Sequence, residues 1–264
     1  MTPRSARPLV WLLVVSLLAI GVYWAFDSRL LTPESVRRSI TGMIAGGDRP
    51  PAGADAESRR ILPAVRPPGE FGEYRFLTMS GGKPVRYSPC RRLSVVVNPR
   101  GAPPDALATV SAAVAEISAA TGLSLTVSGT TRERYSSQRR PYQPRRYGDR
   151  WAPILVSFAG AGSVPEFDGD AVGFGGSLSL DPVVGDPSYV TGSVVLDRDF
   201  FADPANQSYL NEAVLHEFGH VMGLDHVSDG AQIMWAGGLH GSGLGSGDRA
   251  GLARLGRGPC TPDL

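Results

Sequence analysis

Lysine is nearly missing from this chain: Lys83 is the single one, so arginine supplies almost all of the positive charge. Neither sign of charge is in excess. A formal net charge of +1 over 264 residues gives no bulk electrostatic attraction to a polyanion, which argues against nucleic acid as a partner. Cysteine occurs twice, at Cys90 and Cys260, so one internal disulfide is the most the chain can form. Histidine occurs four times and never before His216, which excludes any histidine-built site in the first 215 residues. Long apolar runs are also scarce, with one near the start of the chain, and no internal repeat is visible.

That one run locates the rest of the chain. Arg4 and Arg7 precede an apolar stretch from Pro8 to Phe26 in which Ser16 is the only polar side chain. At 1.5 Å rise per residue such a helix matches a hydrocarbon layer of about 30 Å. Basic residues on its near side favour an N-inside orientation, which puts everything after Asp27 outside the cytoplasm. A cleaved signal peptide would need a shorter apolar core and a small-x-small exit, and the exit here reads Tyr23-Trp24-Ala25-Phe26. The expectation is a short cytoplasmic tail over 1–7, a membrane anchor over 8–26 and an extracytoplasmic linker over 27–72. Secretion after signal cleavage is the alternative. Thr32-Pro33-Glu34 is a good helix start, but Pro, Gly and Ala dominate beyond Gly46-Gly47, and a solvated linker is favoured over a pro-segment.

Three of the four histidines fall within eleven residues, His216-Glu217-Phe218-Gly219-His220-Val221-Met222-Gly223-Leu224-Asp225-His226. Positions i and i+4 lie on one face of a helix, so His216 and His220 can aim at one point, as the first two nitrogen ligands of Zn²⁺ must. A straight helix would carry His226 past that point. Gly223 can take a positive φ without steric cost and so let the chain turn His226 back. Three nitrogen ligands leave an open coordination position, the mark of a catalytic rather than a structural zinc. Glu217, beside the first ligand, is placed to reach a water instead of the metal.

This His-Glu-x-x-His-x-x-Gly-x-x-His pattern, with Met234 in Ile233-Met234-Trp235 shortly after it, resembles the metzincin metalloproteases and within them the matrixins. The resemblance implies an α+β fold: a twisted mixed sheet with one antiparallel edge strand over the zinc helix, a methionine-bearing turn beneath the metal, and a C-terminal helix. It implies a catalytic domain over 73–264 that hydrolyses peptide bonds in extended protein substrates. Glu217 would be the general base toward the water that one catalytic Zn²⁺ activates, and Met234 would support the site without ligating. It further implies that substrate lies as an extra strand along Gly176, Ser177, Leu178, Ser179 and Leu180. A non-catalytic, zinc-stabilised binding module on the cell surface is the alternative. Oligomeric state is open.

Elements can be read around the motif. Tyr74–Met79 and Pro84–Tyr87 read as a hairpin across Ser80-Gly81-Gly82-Lys83. Leu93–Val97, Leu123–Val127, Ile154–Phe158, Leu178–Leu180 and Val190–Leu196 read as strands. A helix starts at Pro103-Pro104-Asp105 and carries Leu107, Val110, Val114 and Ile117 at helical spacing, with Gly122 past its end. The zinc helix begins near Ser208 and buries Leu210, Val214, Leu215, Phe218 and Met222. A last helix, capped by Ser246-Gly247-Asp248, carries Leu252 and Leu255.

Cys90 and Cys260 pair most simply as a disulfide. The sharper alternative, Cys90 as an inhibitory thiolate on the zinc, is disfavoured because Ser88-Pro89-Cys90-Arg91 does not reproduce the matrixin pro-segment. Asp168, Asp170, Asp197 and Asp199 could hold Ca²⁺, although aspartates in surface turns are commoner. Arg132–Arg150 holds seven arginines and reads as a solvated surface loop. Two departures from the matrixin pattern bear on cleavage preference: Val227 directly follows the third histidine, and Ala236-Gly237-Gly238-Leu239 lacks a Pro-x-Tyr wall.

Overall fold

A computed structural model describes residues 49–264 apart from 170, 184 and 242. The expected tail and anchor, and the first part of the expected linker, lie outside the described residues. Among the described residues no helix is long and apolar enough to cross a membrane.

In chain order the elements are β1 (Arg75–Phe76), β2 (Met79–Ser80), β3 (Lys83–Pro84), β4 (Arg86–Tyr87), β5 (Leu93–Val97), α1 (Ala106–Thr121), β6 (Leu125–Thr130), α2 (Pro144–Tyr147), β7 (Ile154–Ala159), β8 (Gly173–Leu180), β9 (Ser188–Asp197), α3 (Arg198–Ala202), α4 (Leu210–Met222), β10 (Leu224–Asp225) and α5 (Ser246–Leu255). Single 3-10 segments cover Pro165–Asp168 and Pro204–Tyr209.

The architecture is mixed α/β, built on a six-stranded sheet that is mostly parallel, with two small antiparallel pairs beside it. Strands β6, β5, β7 and β9 run parallel in that order, β4 adds to β9 in parallel at Arg86↔Ser188, and β8 lies antiparallel on β9. The sequences of β5, β7 and β9 are nearly continuous runs of buried residues, as expected for parallel strands covered on both faces. One face carries Val95, Val97, Val156 and Val194 into a core shared with Val110, Val114 and Ile117 of α1 and with Val214, Phe218 and Val221 of α4. The other face buries Val195 under Val164 and Phe167. Leu107 keeps helical spacing on α1 but is 43% exposed, on the outer side of the helix.

The hairpin expectation needs correction. Only Met79–Ser80 and Lys83–Pro84 pair with each other. Arg75–Phe76 instead pairs with Leu224–Asp225 just after α4, and Arg86–Tyr87 joins the large sheet. The partners come from distant parts of the chain, which local strand propensity does not encode.

Residues 49–72, in the span expected as linker, lie against the folded unit. Arg91, 3% exposed, holds Asp55 through two hydrogen bonds of 3.1 and 2.8 Å. Arg60 donates to the carbonyls of Gly122 and Gly256, and Arg257 donates to the carbonyl of Val65. Cys90 and Cys260 form a disulfide with their Cα atoms 5.3 Å apart.

Candidate metal centre

The site is built on α4. Its inward stripe, Leu210, Val214, Leu215, Phe218 and Met222, is buried as the spacing predicts, and this fixes which face carries His216 and His220. The helix ends at Gly223, whose φ of 115° lies in the left-handed region and whose N–H donates to the carbonyls of Gly219 and His220. The chain leaves through β10, and pairing with β1 holds the strand that delivers His226.

The three imidazoles meet at one point. His226 Nε2 lies 3.1 Å from His216 Nε2 and 3.2 Å from His220 Nε2. The far nitrogens face carbonyls: His216 Nδ1 is 2.6 Å from the Ile233 oxygen, and His220 Nδ1 is 2.9 Å from the Leu224 oxygen. A carbonyl can only accept, so each Nδ1 carries the proton and each Nε2 presents a lone pair. With a proton on its Nε2, His226 donates to these neighbouring lone pairs; with a lone pair there instead, the three repel one another unless a cation lies between them. Burial, the leading cause for all three, lowers their pKa values, that of His220 to about 3, which keeps the imidazoles in the neutral form that metals bind. Among the described residues this is the only group of three or more His, Cys, Asp or Glu side chains able to share an ion.

Glu217 is buried at 5% exposure, and its Oε2 has no hydrogen-bond partner. Burial pushes its carboxyl up to about 8. A buried, unsatisfied carboxyl oxygen one residue from a convergent histidine set is the kind of orphan that an ion and its water would satisfy. The residues present therefore fit a metal.

Beneath the histidines, Met234 is 1% exposed, and the 227–236 turn is closed by hydrogen bonds from the Val227 N–H to the Met234 carbonyl and from the Ala236 N–H to the Val227 carbonyl. Two supports had no sequence signal that singled them out. Gly219 lacks a Cβ where one would collide with Met234 Sδ, so the turn can sit directly on α4. Asp248 of α5, 1% exposed, accepts from the N–H groups of Ile233, Met234 and Gly245, and the Met234 N–H belongs to the peptide whose carbonyl orients His216. Glu212, also buried, accepts from the N–H groups of His240 and Gly241 and so ties the segment after the methionine turn back to α4.

Residues Gly176–Leu180 fall in β8, which among the described residues pairs only with β9 and so leaves its other edge open. Ser177 Oγ donates to the Val221 carbonyl, which fastens the strand to α4. At Gly175 a Cβ would collide with the backbone of Glu217, so glycine there allows strand and helix to approach.

Of the four aspartates considered for calcium, Asp170 and the side chain of Asp168 lie outside the described residues. Asp197 caps α3 by accepting from the Asp199 N–H, and Asp199 pairs with Arg198 at 2.9 Å. Nor is the arginine-rich stretch solvated throughout. Arg139 has a side chain 7% exposed, grips Glu133 through two hydrogen bonds of 2.9 and 3.1 Å, and donates to the Pro153 carbonyl.

No protein-family model matches the chain, and a search of curated proteins finds no significant relative.

Proposed function

We propose that the chain is a zinc-dependent endopeptidase of the metzincin type, matrixin-like, acting on extended protein segments outside the cytoplasm. The observation that carries this reading is the convergence of three imidazole Nε2 atoms next to the buried Glu217, whose Oε2 has no hydrogen-bond partner. The separations of 3.1 and 3.2 Å suit the edge of a nitrogen tetrahedron about Zn²⁺, which is about 3.3 Å for Zn–N bonds of about 2.0 Å. The antiparallel strand β8 beside α4, the Met234 turn and the C-terminal helix α5 agree with the arrangement that the motif implies. A disulfide agrees with an oxidising compartment.

His216, His220 and His226 would hold the ion, with the Ile233 and Leu224 carbonyls orienting two of them. When bound, zinc supplies a Lewis acid that polarises a peptide carbonyl and makes water acidic enough to be deprotonated near neutral pH. Glu217, ionised when a cation offsets its burial, would accept a proton from water and donate it to the departing amine. The open edge of β8 offers backbone N–H and C=O groups to an extended peptide, holding it parallel to the strand axis beside α4.

The test uses the full chain, with zinc content and casein cleavage measured side by side for the wild type, Glu217→Gln and a chelated sample. About one zinc per chain, retained in Glu217→Gln, with cleavage lost in both that variant and the chelated sample, is the expected result. Zinc bound with no cleavage by the wild type would favour the non-catalytic binding module. A folded chain that takes up no zinc would overturn the metal site itself.

A further inference from the structure

A second site lies across the sheet from the histidines. On β8, Gly175 abuts Glu217, whereas Phe174 turns to the opposite face and packs on Tyr135 at 5.0 Å and Phe167 at 5.7 Å. Near Tyr135 is a cavity of about 390 Å³ whose lining includes Asn98, Arg100, Arg134, Ser157, Val164 and Arg198. That volume falls in the range of about 300–1,000 Å³ typical of small-molecule sites. None of its lining residues belongs to the metal centre.

Its position follows from topology. Asn98 and Arg100 leave the end of β5, Ser157 sits near the end of β7, and Arg198 directly follows β9. These strands are parallel, so their carboxyl ends gather at one edge, where ligands of α/β sheets characteristically bind. The lining has one unusual feature: three arginines, Arg100, Arg134 and Arg198, border one space. Arg198 is paired with Asp199 and lies where a Cβ at Gly101 would be. Among the described residues neither Arg100 nor Arg134 forms an ion pair, while Phe158, Ala159 and Val164 give the cavity an apolar wall.

We propose that this cavity binds a small organic anion, its oxyanion group held by Arg100 and Arg134 and its carbon body set against Ala159 and Val164. Phosphate and carboxylate groups share this recognition chemistry, since both accept from guanidinium forks. The apolar wall makes an organic anion a better ligand than a bare one.

Calorimetric titration of the full chain with phenyl phosphate, citrate and inorganic phosphate, at one fixed ionic strength, tests it. Either organic probe should saturate at one per chain and bind more tightly than inorganic phosphate, and comparing the two distinguishes a phosphate from a carboxylate ligand. Arg100→Ala with Arg134→Ala should weaken binding by about tenfold or more, as loss of charged hydrogen bonds implies. Arg132→Ala with Arg140→Ala removes equal charge from the loop that carries Arg134, at residues that do not line the cavity, and should change affinity by no more than about twofold. Absence of saturable binding by either organic probe to folded protein overturns the proposal, as does equal weakening by the two arginine pairs.

Discussion

Gly219 has no ligand role, yet its missing Cβ decides how closely Met234 approaches the histidine helix. Gly219→Ala is expected to destabilise the fold by about 1–3 kcal/mol, the usual cost of overpacking a closed core. Denaturant melts should show this as a lower midpoint, and competitive chelation should show a weaker hold on zinc. A second single-residue case concerns acid. Burial alone would raise the Glu133 carboxyl, but the Arg139 guanidinium, aided by Tyr147 and Gln143, outweighs burial and holds it below the ordinary value. A depressed folded pKa contributes stability that is fully present above the unfolded value near 4.5 and is lost as pH falls through the folded one. Denaturant midpoints of the wild type should therefore fall as pH drops below that value, and Glu133→Gln should flatten this part of the profile. The convergence of His216, His220 and His226 was legible in sequence, because i, i+4 spacing and a glycine stop act within one short segment. Gly219, Asp248 and Arg139 were not, because their demands come from a turn, a peptide and a carboxylate that arrive from elsewhere in the chain.

Among the elements, β8 and α4 are pressed together by the same kind of omission. A methyl at position 175 would meet the Glu217 backbone, and a helix backbone cannot turn aside as a side chain can. Gly175→Ala should push the edge strand off α4, with a stability loss at or above the upper end of the overpacking range, about 3 kcal/mol. Casein cleavage should fall further than stability alone accounts for, which activity measured well below the melting temperature would show. Most long elements were readable beforehand: β5 has the bounds its β-branched run suggests, α1 keeps its apolar spacing and stops at Gly122, and α5 carries the expected leucines although its N-cap is Gly245, one residue before the expected start of the cap. Of the two-residue pairs, the turn joining Met79–Ser80 to Lys83–Pro84 was readable, but the partner of Arg75–Phe76 was not, since it is Leu224–Asp225, far along the chain. Residues 49–72 read as linker because Pro, Gly and charge set their composition, and composition does not reveal that Arg91, Arg60 and Arg257 fasten them down.

At the scale of the molecule, one covalent bond closes a span of 170 residues. In the chain-entropy model a loop of that length contributes about 5 kcal/mol of stability. Replacing both Cys90 and Cys260 by alanine, or reducing the bond in unfolding experiments, should lower the unfolding free energy by up to that amount. A much smaller loss would mean that the unfolded chain stays compact without the bond. The same bond makes the folded unit a ring that encloses the metal helix, every long strand and the arginine-rich loop. Cutting the backbone once between Cys90 and Cys260 would open that ring without dividing it. A nicked molecule would keep its mass and its histidines in one particle, and only a reducing gel would reveal the two pieces. A single cut in that span would thus leave one linked assembly instead of shed fragments.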